Sequence, residues 1–152
     1  MDDIKKKRYI RIVSLIALTI FVVTAIALTI YFVQKNDEKN KIEYISGDIG
    51  KDIEVTDLIF KVKDFKSTSE GQADGYAKVT ISIEIKAKET LDLKLEDFKL
   101  GDYAISSQSG FTSHIEKDNN SSFELNYVVK LDQKLLYIIY HNIKIALGEA
   151  YA

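Results

Sequence analysis

The stretch "YAKVTISIEIKAK", residues 76–88, alternates strictly. Ala77, Val79, Ile81, Ile83, Ile85 and Ala87 fall on one side, and Lys78, Thr80, Ser82, Glu84 and Lys86 on the other. Successive side chains of a strand point to opposite faces, so this pattern predicts one buried and one wet face. That is the signature of an antiparallel sheet rather than of a parallel sheet covered on both sides.

The same period runs outward in both directions. Ile53 and Val55 alternate with acids, and Leu58, Phe60 and Val62 follow in shifted register, which suggests a bulge at Thr56-Asp57. "STSEGQADG" (67–75) reads as a loop of small and polar residues. Leu91, Leu93 and Leu95 repeat the alternation, and "EDFKLGDYAI" (96–105) continues it. Phe111, Ser113 and Ile115 form a weaker strand, and "EKDNNSS" (116–122) is a turn by composition. Phe123, Leu125, Tyr127 and Val129 then share a face; "LDQK" (131–134) connects to "LLYIIY" (135–140), which is apolar on both faces, as a central or partner-covered strand would be. Ile143, Ile145 and Leu147 close the series. About seven strands with frequent turns and no helical period predict an all-β, immunoglobulin-like antiparallel β-sandwich over residues 52–152. Cysteine and tryptophan are both absent, so the resemblance to immunoglobulins is one of architecture, and burial alone must stabilise the domain.

The N-terminal part obeys other rules. Ile12 to Val33 is a run of 22 uncharged residues. As a helix it would measure roughly 33 Å, enough for a hydrocarbon core of about 30 Å. Its polar residues are Ser14, Thr19, Thr24 and Thr29, whose hydroxyls can bond back to their own helix. The threonines recur every five residues and so drift around the helix, which argues against a single tight packing seam. A signal peptide has a shorter apolar region followed by a small-x-small site, whereas Ala25-Ile26-Ala27 lies inside this run. A lipoprotein anchor needs a cysteine. An uncleaved transmembrane helix over 12–33 is therefore expected.

Lys5, Lys6, Lys7, Arg8 and Arg11 against Asp2 and Asp3 give residues 1–11 a charge of 5 − 2 = +3. Basic flanks stay cytoplasmic, which predicts a cytoplasmic tail (1–11), a single pass through the cell membrane and an extracellular C-terminal domain. Tyr9, Tyr31 and Phe32 stand where interfacial rings settle. Residues 34–51 read as a polar linker with two glycines. With 21 basic and 23 acidic residues in all, residues 12–152 carry 16 − 21 = −5, which argues against nucleic acid and against lying flat on anionic lipid.

The segments "IEVTDLIFKVKDF", "YAKVTISIEIKAKETLDLKLEDFKL", "SSFELNYVVK" and "YHNIKIAL" resemble the small extracytoplasmic immunoglobulin-like domains found in membrane-anchored proteins and lipoproteins of Gram-positive bacteria. The resemblance covers about residues 50–148. Where that family often has an Asn after the long central strand, this chain reads Lys86-Ala87-Lys88. The family carries no agreed activity or catalytic residues, so the resemblance implies fold and location only.

Chemical motifs are few. There is no Gly-x-Ser-x-Gly, and the two histidines, His114 and His141, are separated by two predicted strands. "DNNSSFE" (118–124) spaces oxygens like the start of a calcium loop, but Phe123 stands where that loop needs glycine. "GDIGKD" (47–52) does not fit a phosphate loop. The expectation is a binding protein, not an enzyme, with no cofactor and no metal. Tyr127, Tyr137, Ile139 and Tyr140 are the candidate partner-binding residues, because tyrosine is favoured on recognition surfaces and "LLYIIY" offers a second apolar face. The leading expectation is an accessory or adaptor subunit of a bacterial cell-envelope complex for secretion, conjugation or transport. The alternative is an immunity or ligand-sensing protein that captures a toxin or small ligand outside the cell.

Overall fold

A computed structural model describes residues 3–39 and 41–152. Residues 1 and 2 of the expected basic tail and residue 40 of the expected linker lie outside the described residues. The chain divides into two compact units, Met1–Ile42 and Glu43–Ala152.

The first unit is one helix, α1 (Asp3–Lys39), of 37 residues. It is long and apolar enough to cross a membrane, and its apolar side chains are exposed. The hydroxyls of Thr19, Thr24 and Thr29 donate to the carbonyls of Leu15, Ile20 and Ala25 at 2.9, 2.8 and 2.9 Å. These three hydroxyls are thus satisfied within their own helix.

The second unit is a β-sandwich. One sheet has the order β1-β11-β10-β6, with β1 (Ile45–Asp48), β6 (Phe98–Leu100), β10 (Leu135–Tyr140) and β11 (Ile143–Glu149). The other has the order β2-β3-β4-β9-β7, with β2 (Ile53–Glu54), β3 (Leu58–Thr68), β4 (Tyr76–Ala87), β7 (Ile105–Ser109) and β9 (Asn120–Lys130). A two-stranded ribbon pairs β5 (Leu91–Asp92) with β8 (His114–Ile115). The all-β expectation holds.

β4 lies at the centre of the larger sheet, between β3 and β9. All six apolar residues of its inner row, Ala77 to Ala87, are fully buried. Val79, Ile81, Ile83, Ile85 and Ala87 share one continuous core with Leu136, Ile138 and Tyr140 of β10 and Ile143, Ile145 and Leu147 of β11. Burying each large aliphatic side chain contributes about 1.5–3 kcal/mol relative to exposing it, which explains why alternation alone forces closure. An aromatic cluster fills one part of the core: Phe98 stacks on Tyr140 at 4.7 Å and meets Phe123 edge-on at 5.4 Å.

Several boundaries differ from the sequence reading. The described residues hold eleven strands rather than about seven, because the two- and three-residue strands bury too few side chains to show a period. Thr56-Asp57 is the connection of a hairpin that pairs Ile53 with Phe60, closed by the Val55 N–H donating to the Leu58 carbonyl at 2.9 Å. The bulge lies later, between Val62 and Asp64, and it switches the inward row from Leu58, Phe60 and Val62 to Phe65 and Ser67. The third leucine of 91–95 enters a 3-10 turn, Leu95–Asp97, instead of extending the strand. β9 begins at Asn120, three residues inside the expected turn, held by the Lys86–Asn120 pairing.

Residues 34–51 are not a plain linker. The helix continues to Lys39, and Ile45–Asp48 forms β1. β1 pairs parallel with β11, from Ile45 opposite Ile143 to Asp48 opposite Ala146, so the sandwich is not purely antiparallel. Gly47 makes this possible: a Cβ there would stand 2.2 Å from Ile53 Cδ1. The strand thus lies against the core because it lacks a side chain at that point.

Candidate functional site

β10 is a central strand with one buried and one solvent-facing row. Its inner row, Leu136, Ile138 and Tyr140, belongs to the core. Its outer row is Leu135, which is 59% exposed, with half-buried Tyr137 and Ile139. These three side chains line a hollow of about 510 Å³. Gly101, Asp102 and Tyr103 bound it, together with Lys130, Asp132 and Lys134 of the β9–β10 connection. Tyr103 ties these walls together, since its phenol oxygen accepts from the Lys130 N–H at 3.3 Å. Gly101, at φ 55°, allows the tight turn that brings Tyr103 back into a bridge with Leu100.

Lys144 of β11 forms the other side. Its Nζ stands 4.4 Å from the Tyr137 ring centre and 5.6 Å from that of Tyr44. Tyr137 and Lys144 also line a second hollow, of about 400 Å³, reaching Ser46 and Asp48 on β1. The two hollows therefore adjoin across the Tyr137–Lys144 pair, along the outer face of the four-stranded sheet. Beneath them β11 carries a bulge: Leu136 pairs with Gly148 and Tyr137 with Ala146, leaving Leu147 extra. Gly148 adopts φ 105°, which suits glycine.

The structure divides the four candidate binding residues. Tyr137 and Ile139 lie together on the outer face. Tyr127 and Tyr140 do not, and their reading as surface residues is corrected here. Tyr127 is fully buried, and its phenol donates to the Phe98 carbonyl at 3.2 Å. Tyr140 stacks between Phe98 and Phe60, at 4.7 and 5.6 Å. Burial raises the Tyr127 phenol well above its ordinary range. The Tyr140 phenol is pushed up to about 12, first by burial and then by the charges of Asp97 and Asp57. For Tyr140 the sequence is ambiguous because "LLYIIY" shows no period; Tyr127 does alternate with Phe123, Leu125 and Val129, and the ambiguity there is that tyrosine serves core and surface alike.

Lys144, Tyr44 and Lys130 were not among the sequence candidates, whereas Tyr103 belongs to the aromatic residues that the sequence offers for an exposed patch. Lys144 had a signal, since it alternates with Ile143 and Ile145. Tyr44 had none, because it sits in the stretch read as a linker.

The remaining polar groups are dispersed. His114 Nδ1 lies 2.7 Å from Asp92 on the β5–β8 ribbon, and His141 Nε2 lies 3.7 Å from Asp97. Asp118 adopts φ 65° in a turn, while Asn120, Ser122 and Glu124 belong to β9, so the "DNNSSFE" oxygens extend along a strand instead of wrapping an ion. Among the described residues no group of three His, Cys, Asp or Glu side chains could hold a metal ion.

No protein-family model matches the chain, and no curated protein matches it. Two solved structures are similar. A candidate lipoprotein (ycdA) from Bacillus subtilis subsp. subtilis str. 168 shares 18% identity with a TM-score of 0.53, over 64% of this chain and 38% of its own. The chain thus spans well under half of that structure, and the likeness concerns the fold alone. An uncharacterized β-sandwich protein from Clostridium difficile 630 shares 15% identity with a TM-score of 0.47, over 72% of this chain and 97% of its own.

Proposed function

We propose that this chain is a membrane-tethered binding protein, an accessory or adaptor subunit of a bacterial cell-envelope complex. In this reading residues 12–33 cross the bilayer once, the basic tail stays in the cytoplasm, and the sandwich works outside the cell. The charge asymmetry around the apolar run supports that orientation. The resemblance to extracytoplasmic immunoglobulin-like domains supports the location, as does the description of the Bacillus neighbour as a candidate lipoprotein.

One observation carries the functional part: the central strand β10 turns Leu135, Tyr137 and Ile139 to solvent beside a hollow of about 510 Å³. An apolar row on a wet face costs solubility and is a surface that a partner would cover. A mixed apolar and tyrosine-bearing patch suits protein recognition, and the protein acts by binding rather than by catalysis.

The test is purification of the full chain from its own membranes in mild detergent. Ile139→Asp should remove a co-purifying envelope protein that Lys86→Glu, on the opposite sheet, leaves in place. Equal recovery with both variants would refute the reading. The alternative, capture of a small ligand or toxin, rests on the hollow's volume, which lies within the usual range for small-molecule sites. A small molecule released on denaturing the purified protein would favour it.

A further inference from the structure

We infer that the hollow beside Tyr137 and Lys144 receives an acidic segment of a partner protein, with carboxylates flanking an apolar side chain. This rests on the binding role given to β10 and names the chemistry of the occupant.

Residues 43–152 hold 13 lysines and no arginine against 19 acidic residues, a net charge of −6. The hollow has the opposite local sign: Lys130, Lys134 and Lys144 line it against Asp102 and Asp132. Asp132 is already paired with Lys134 at 3.3 Å. Among the described residues neither Lys130 nor Lys144 joins an ion pair, although carboxylates outnumber lysines in this unit.

Lys144 is instead held against rings. The faces of Tyr137 and Tyr44 position its ammonium without neutralising it. Its charge and donors therefore remain open to an incoming carboxylate, and the half-buried position lowers the screening that weakens exposed pairs. Ile139 and Leu135 supply an apolar floor next to this cation. A carboxylate on Lys144 and an apolar side chain on Ile139 would satisfy both at once. Electrostatic complementarity of this kind selects partners and their register.

A polypeptide fits better than an anionic bilayer surface. A flat lipid surface would meet the whole acidic unit and be repelled by it. A segment entering the concave hollow meets three lysines against two aspartates, one of them already paired.

The test places a photo-crosslinking amino acid at Ile139 in the full-length protein in its own membrane, with Lys86 as the control position. The expected adduct is a peptide whose crosslinked residue has Asp or Glu within a few positions. Lys144→Glu should cut its yield roughly tenfold or more, and reversing the partner's acidic residues to Lys should restore it. Lys144→Met, which keeps an unbranched side chain for packing on the rings, should lower the yield in the same direction. An adduct on a neutral or basic segment, on lipid or on glycan would overturn the inference while leaving β10 as a binding surface, and so would a yield indifferent to Lys144→Glu. No adduct at Ile139 beyond the Lys86 control would overturn both.

Discussion

The phenol of Tyr127 on β9 donates to the carbonyl of Phe98 on β6 at 3.2 Å, so one hydrogen bond joins the two sheets through the interior of the sandwich. Tyr127 is fully buried and Phe98 is 3% exposed, so no water competes for that carbonyl. Tyr127→Phe keeps the ring and removes the donor. It should cost about 1–3 kcal/mol in urea unfolding, because the buried carbonyl loses a partner. An unchanged midpoint and slope would show that the contact contributes nothing.

Alkaline pH should weaken the sandwich through Tyr127 and Tyr140. Both phenols lie above the ordinary value of 10.0 when folded, Tyr140 at about 12. Since the folded pKa exceeds the unfolded one, this contribution is fully present below pH 10 and is lost as pH rises from 10.0 towards about 12. Unfolding followed against pH, with phenolate absorbance as a second probe, should show the two phenols ionising together with loss of tertiary structure. Their ionisation at the same pH as exposed tyrosines would contradict their burial.

Gly47 lets β1 lie against Ile53 and Ile145. Gly47→Val should force Ile53 aside or release β1 from β11, at about 1–3 kcal/mol from overpacking. Faster hydrogen exchange confined to the β1–β11 amides would identify release. Wild-type exchange and stability would contradict the close packing.

Ser67 pins the C-terminal residues to β3. Its hydroxyl donates to the Tyr151 carbonyl, and the Tyr151 N–H donates back to its oxygen at 2.9 Å. Phe65 meets the Tyr151 ring edge-on at 6.4 Å. Ser67→Ala should cost about 1 kcal/mol and expose the Tyr151 amide to rapid exchange, with the β4 amides unchanged. Persistent protection at Tyr151 would show that the aromatic contact suffices.

Legibility followed burial. β4 has six inward apolar residues and β9 four, so their period stood out in the chain and their inward rows were legible, although Tyr127 in the β9 row was also read as a binding residue. β7 could not be read: it is an edge strand whose residues after Ile105 are all polar and exposed, and it exists through pairing with β9. β1 escaped notice because Gly47 contributes packing by having no side chain. The candidate site was half legible. The outer row of β10 was visible in "LLYIIY", but Lys144 and Tyr44 join it only through the parallel β1–β11 pairing, a contact between segments about a hundred residues apart.

The central claim, that the outer face of β10 beside Lys144 is covered by a partner in the cell, is tested most directly by lysine footprinting. Intact cells and the purified full chain in detergent would be treated with the same amine-reactive reagent, and modification of each lysine compared between the two. The account expects Lys130 and Lys144 to be protected in cells and reactive after purification, while Lys63 and Lys86 on the opposite sheet react alike in both. Equal reactivity of Lys144 in the two preparations would contradict it.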